Sequence, residues 1–140
     1  MGAEVIKIEA LKHLDGSRGP LQVAGGFGVY PNGDPGDEPW NRSGYFSENN
    51  RNKLGMTLDL TRPDGVAVFK RLIRVSDVVV ENYSPRVMEN FGLEYSELRA
   101  TNPGVIMLSM PGFGRSGPYR DYVTYGSTLE SIAGLTNLRG

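Results

Sequence analysis

The sequence predicts an α/β fold built on a parallel sheet, and three observations predict it. Apolar, strand-like runs alternate with segments of helical period in the order strand, helix, strand, helix, strand. Two of those runs, VVV at 78–80 and VIMLSM at 105–110, are apolar but for Ser109, as strands covered on both faces are. The 19 glycines and 9 prolines among 140 residues cluster, which separates regular from irregular chain.

The elements follow in order. Val5, Ile6 and Ile8 make AEVIKIE a β-branched strand close to the start. From Ala10 to about Arg42 there is no apolar period, and the irregular stretch extends to about residue 48. A segment that long is functional, disordered or packed on another chain. In LGMTLDL, Leu54, Met56, Leu58 and Leu60 alternate against Thr57 and Asp59, the pattern of a half-buried strand. Thr61 is placed to cap the next helix, Pro63 suits its first turn, and Asp64 favours its positive end. Val66, Phe69, Leu72 and Ile73 carry its period. VVV ends in Glu81-Asn82, Ser84-Pro85 opens a short helix, and Gly92 closes it with Leu93 over the cap. Tyr95, Leu98 and Arg99 mark another short helix, stopped by Asn102-Pro103-Gly104. After VIMLSM and a glycine loop, Leu129, Ile132, Ala133 and Leu135 predict a final helix. The whole is a Rossmann-like parallel sheet with helices on its faces. Its strand at the first residues and its mid-helix finish look cut at both ends.

Composition narrows the chemistry. A formal net charge of −1, with both signs interspersed, offers no footprint for nucleic acid and no basic stripe for membranes. No stretch approaches the roughly 18 apolar residues of a membrane span. Glu4, Lys7 and Glu9 interrupt anything resembling a signal peptide. Without cysteine there is no disulfide or thiolate, which fits the cytoplasm. His13 is the only histidine, so a His-rich metal site is excluded, and it is expected as an exposed side chain in a polar loop. Gly25-Gly26-Phe27-Gly28 reads as flexible loop, because no helical period follows it. Asn41-Arg42-Ser43 matches the glycosylation sequon as text alone.

Gly112, Gly114 and Gly117 in GFGRSGPYRD spell G-x-G-x-x-G behind a strand. A dinucleotide turn opens a helix and is followed, about 20 residues on, by an acid after the next strand. Here Pro118-Tyr119-Arg120-Asp121-Tyr122 continues as loop and no second strand follows, so the glycines read as a strand-end loop needing positive φ, and NAD binding is not expected. The loop still lies at the carboxyl end of a parallel strand, where such sheets place ligands. Glu81-Asn82-Tyr83-Ser84-Pro85 falls on the same edge, so two loops converge there.

Several blocks together resemble the family III CoA-transferases, a group that also holds formyl-CoA and carnitine-CoA transferases and α-methylacyl-CoA racemases. They are Gly2 through Glu9, Asn50-Arg51-Asn52-Lys53 leading into Leu58-Asp59-Leu60, Pro63-Asp64-Gly65, and Asp77 through Pro85. Phe91-Gly92-Leu93, Asn102-Pro103 and Gly112-Phe113-Gly114 through Tyr119 complete the set. Members are several hundred residues long and form interlocked dimers, so the resemblance implies a fragment: a partial CoA-binding domain over 1–140, lacking the first strand and helix. It implies coenzyme A or acyl-CoA as substrate with no permanently bound cofactor or metal, a carboxylic acid as the other substrate, and a homodimer or other oligomer in the cytoplasm.

The family's catalytic aspartate, nucleophile towards an acyl-CoA thioester, lies beyond the segment matching Leu135-Thr136. No catalytic residue is therefore assigned here; Asp59, Asp77 and Asp121 do not occupy its place, and the chain alone is expected to be inactive. By motif position the resemblance implies CoA contacts at Asn82, Tyr83 and Ser84, at Leu58, Asp59, Leu60 and Thr61, and at Tyr125. Read plainly, Asn82 and Ser84 are turn and cap residues and Tyr125 a packing ring. Ala10 and Asn90 stand where related transferases carry arginine. Arg18, Arg51, Lys53 and Arg86 are candidate substitutes, each a solvated surface charge by default. An acyl-CoA racemase is an alternative, though Thr124-Tyr125-Gly126 stands where those members carry Gly-His-Asp; a non-catalytic CoA-binding or interaction domain is another.

Overall fold

The computed structural model describes residues 2–19 and 30–139, so Gly25, Gly26, Phe27 and Gly28 lie outside the described residues. The chain divides into two units, one up to Asp59 and one from Leu60 onward. Each holds one pair of parallel strands, so the α/β class is as the alternation predicts. Among the described residues the strand pairs are two separate ladders rather than one continuous sheet.

In the first unit β1 (Val5–Glu9) pairs with β2 (Lys53–Thr57), Val5 opposite Lys53 and Glu9 opposite Thr57. The Leu58 N–H donates to the Glu9 carbonyl at 2.9 Å and extends the ladder one step. Between the strands lie 3-10 turns at Gly16–Arg18, Pro31–Gly33 and Pro39–Asn41, then a helix α1 (Gly44–Asn49). At six residues, α1 is too short for an apolar period to show, and it was not expected. Ser43 makes it possible: its hydroxyl accepts from the Phe46 N–H at 3.3 Å and donates to the Ser17 carbonyl at 2.6 Å. Fully buried, Ser43 is the third residue of the apparent sequon.

Arg18 overturns its reading as a solvated charge. Its Nε and one terminal nitrogen grip both oxygens of Glu9, at 3.0 and 2.6 Å. The other nitrogen donates to the Trp40 carbonyl at 2.8 Å, and the guanidinium lies 3.6 Å from the centre of the Phe46 ring. Beside it Lys7 pairs with Asp15, which also accepts from the Ser17 N–H and hydroxyl. The segment from Ala10 to Arg42 thus docks in part on its own strand, through charge rather than apolar surface. An apolar-period search is blind to that mode of packing.

The second unit opens with α2 (Pro63–Ile73). Its N-cap is Arg62, not Thr61, because the residue before a proline is held extended, here at φ −106° and ψ 139°. Phe69 and Ile73 are buried as the period predicts. β3 (Val78–Glu81) and β4 (Ile106–Ser109) pair in parallel, Val78 opposite Ile106 and Glu81 opposite Ser109. The crossover carries α3 (Val87–Asn90) and α4 (Tyr95–Thr101). Gly92, at φ 63°, ends α3: its N–H reaches the Glu89 carbonyl and that of Leu93 reaches the Met88 carbonyl, at 2.9 and 2.8 Å. Leu93, Met88, Leu98 and Val105 are buried with Phe69 and Ile73. The Asn102 amide ties the crossover to α2 by donating to the Ile73 and Ser76 carbonyls, both at 3.0 Å.

Burial of β3 and β4 on both faces is not observed. Val78, Val80, Ile106 and Leu108, which the register places on one face, are about half exposed. The described helices supply no cover for that face. The expected final helix is two, α5 (Gly126–Ile132) and α6 (Leu135–Arg139), broken at Gly134 with φ 77°. No described helix is long and apolar enough to cross a membrane.

A pH dependence follows from the first unit. Burial pushes the Asp15 carboxyl up, but the Lys7 ammonium and the Ser17 hydroxyl and N–H outweigh it and bring the pKa to about 2 from 3.8. Because the folded value is depressed, this stabilisation is complete above the unfolded pKa and is lost as pH falls towards 2; it amounts to about 2 kcal/mol. Glu9, lowered chiefly by its Arg18 hydrogen bonds against the cost of burial, adds to the same acid-side loss. Urea unfolding of the first unit from pH 5 to pH 2 should therefore show falling stability, and Asp15→Asn should flatten the slope between pH 4 and 2.

Candidate functional site

In a parallel pair both carboxyl ends lie at one edge, and the loops leaving them are neighbours. After β3 the chain turns through Asn82, Tyr83 and Ser84; after β4 it enters Pro111-Gly112-Phe113-Gly114-Arg115. The Met110 N–H donates to the Glu81 carbonyl at 3.0 Å, so the two loops separate only beyond that step.

Glu81 is the pivot. Its side chain is 5% exposed, and one oxygen accepts from the Tyr83 N–H at 2.8 Å. The other faces the Arg115 guanidinium at 3.6 Å, and a second nitrogen of Arg115 lies 3.5 Å from Glu89 on α3. Arg86 and Asp121 form a second, exposed bridge between the loops at 3.1 Å. The convergence expected at this edge is thus bound by ion pairs. The Tyr83 ring stands edge-on to Phe91 at 6.3 Å, while Phe113, Tyr119 and Tyr122 cluster at 5.5–6.2 Å. Beside the loop, Tyr95, Val105, Met107, Ser109 and Arg115 line an open cleft of about 600 Å³.

The glycines have local reasons. Gly114 and Gly117 take φ of 77° and 91°, and no helix starts at the loop; the next, α5, begins at Gly126. At Gly112 a Cβ would meet Thr124 Cγ2 at 2.0 Å, so that position requires close approach.

The positions inferred by resemblance are distributed as follows. Asn82, Tyr83 and Ser84 are exposed on the β3 turn, beside the glycine loop. Leu58 and Asp59 follow β2 in the first unit and are half-buried. Leu60 is buried and Thr61 exposed at the start of the second unit, ahead of α2. Tyr125 is 79% exposed and forms the N-cap position of α5. Of the candidate cations, Arg18 is committed to Glu9, Lys53 donates to Asn50 at 3.0 Å, Arg86 pairs with Asp121, and Arg51 is exposed. Ala10 bridges to the exposed His13, and Asn90 is exposed on α3. Motif position did not single out Arg115, although its place between Gly114 and Gly117 is a signal in the sequence for a cation at a strand end. Among the described residues no group of three His, Cys, Asp or Glu could hold a metal ion.

Each unit is α/β, and in the second the loops leaving the carboxyl ends of the parallel strands meet. CoA-transferase family III matches residues 1–140, and the chain belongs to that family. It is 42% identical over 114 residues to a succinyl-CoA–D-citramalate CoA-transferase of Chloroflexus aurantiacus, covering 77% of this chain and 28% of that protein. It is 34% identical over 142 residues to a succinate–glutarate CoA-transferase of Agrobacterium fabrum, covering all of this chain and 33% of the relative. A CAIB/BAIF family protein from Brucella suis superposes with a TM-score of 0.75 at 32% identity, over 95% of this chain and 32% of that one. The chain thus spans about a third of the length of these relatives.

Gly112→Ala should lower the melting temperature, by an overpacking cost of about 1–3 kcal/mol. Adding Thr124→Ser, which removes the opposing Cγ2, should restore most of it. Circular dichroism melts of the two variants check this, and equal melting of G112A and the unmodified chain is the contrary result.

Proposed function

We propose that this chain provides part of the CoA-binding surface of an enzyme that moves CoA from an acyl-CoA thioester to a carboxylic acid. The observation that carries the reading is the family match along all 140 residues, with relatives named as CoA-transferases. The exposed strand-end turn adds physical support. Asn82 and Ser84 there have no side-chain partner among the described residues, so their polar groups are open to a ligand. In this reading the Asn82–Ser84 turn, the stretch Leu58–Thr61 and Tyr125 contact CoA.

The chemistry proposed is covalent. An aspartate carboxylate attacks the thioester carbonyl, the C–S bond breaks, and a mixed anhydride forms with release of CoA thiolate. The thiolate attacks the aspartyl carbonyl, giving an aspartyl-CoA thioester and the free donor acid. The acceptor carboxylate then attacks that thioester, and thiolate returns to the acceptor's carbonyl, leaving the aspartate free. One difficult exchange becomes a series of easier ones. The nucleophile is not Asp59, Asp77 or Asp121 but a residue outside these 140. The enzyme works as a homodimer in the cytoplasm.

Calorimetric titration of the purified chain with CoA should give saturable binding, while no CoA should move between succinyl-CoA and a panel of dicarboxylates. Absence of CoA binding would sink the reading. Turnover by the chain alone would show that its nucleophile lies within residues 1–140. Light scattering at several concentrations should report a species larger than the monomer.

A further inference from the structure

We infer that Arg115 is a positioning residue for the Asn82–Ser84 turn, acting through Glu81; the inference rests on the CoA reading above. A carboxylate as buried as that of Glu81 must be compensated within the protein. Two groups do so, one at each oxygen: the Tyr83 N–H at 2.8 Å and the Arg115 guanidinium at 3.6 Å. The first defines the turn's backbone, and the second comes from the glycine loop on the neighbouring strand. Arg115 therefore fixes where Glu81 points, and Glu81 fixes the amide of Tyr83.

Direct capture of a ligand phosphate by Arg115 fits less well. Its single positive charge already faces two carboxylates, Glu81 and Glu89, which leaves no net attraction for a third anion. The contact with Glu89 has a further effect. It joins the glycine loop to α3, whose end carries Phe91 against the Tyr83 ring at 6.3 Å. Backbone and ring of Tyr83 are thus both set from Arg115, one through Glu81 and the other through α3. Asn82 and Ser84, on either side of Tyr83, take their places from the same amide.

The test uses the intact protein with Arg115→Ala, Arg115→Lys and Glu81→Gln, each followed by calorimetric CoA titration, thermal melting and amide hydrogen exchange at Tyr83. Arg115→Ala should raise the CoA dissociation constant about tenfold, the scale expected when a buried carboxylate loses one of its two compensating groups. It should also speed exchange at Tyr83. Arg115→Lys, which keeps a cation opposite Glu81, should recover part of the affinity. Glu81→Gln keeps an acceptor for Tyr83 but loses the attraction to Arg115, so its rise should be smaller. Should Arg115→Ala fail to fold, Glu81→Gln decides. Lowered melting temperatures with unchanged CoA affinity overturn the inference and leave the CoA reading intact. Failure of the unmodified protein to bind CoA overturns both.

Discussion

Both strand pairs run parallel, and that constraint organises everything else in the chain. Parallel neighbours cannot be joined by a tight hairpin, so each connection must be a crossover. β1 and β2 are joined by the long irregular segment and α1, β3 and β4 by α3 and α4. Parallel pairing also sends both strands of a pair out at the same edge. That is why Asn82–Ser84 and the glycine loop are neighbours despite a separation of some thirty residues, and why Glu81 can meet Arg115.

The two units meet the cost of ordering their chains differently. From Leu60 onward, burial is largely apolar, with Phe69, Ile73, Met88, Leu93, Leu98 and Val105 nearly removed from water. Up to Asp59, Tyr30 is the one large apolar side chain counted as buried among the described residues. A bidentate Arg18–Glu9 pair, the Phe46 ring and the buried Ser43 hydroxyl take over there. Charge-assisted, two-pronged bonds are directional, so they can fix irregular backbone that an apolar contact would leave free to slide.

The glycine loop shows how a familiar spacing can arise from geometry. Gly112 admits the Thr124 methyl, and Gly114 and Gly117 adopt φ values that side chains rarely take. No helix N-terminus stands at the loop to receive a pyrophosphate, as a dinucleotide turn would provide. The spacing is met, while the surroundings are those of a strand-end loop pinned by Arg115.

The sequence by itself determined the local elements: the strand at Val5–Glu9, the helix from Pro63, the glycine cap at Gly92 and the family. Backbone geometry and burial period act over a few residues, so they can be read in order along the chain. Sequence also placed the Asn82–Ser84 turn and the glycine loop on one edge, because parallel strands share a carboxyl end. It did not show that α1 exists, or that Arg18 is bound rather than solvated. Nor did it reveal the division into two strand pairs, or the exposure of Val78, Val80, Ile106 and Leu108. Those outcomes turn on which groups meet across gaps of 9 to 34 residues, as Arg18 meets Glu9 and Arg115 meets Glu81. Residue type and spacing carry no record of such meetings. An arginine reads the same in sequence whether water or a carboxylate receives it, and only the tertiary structure decides which.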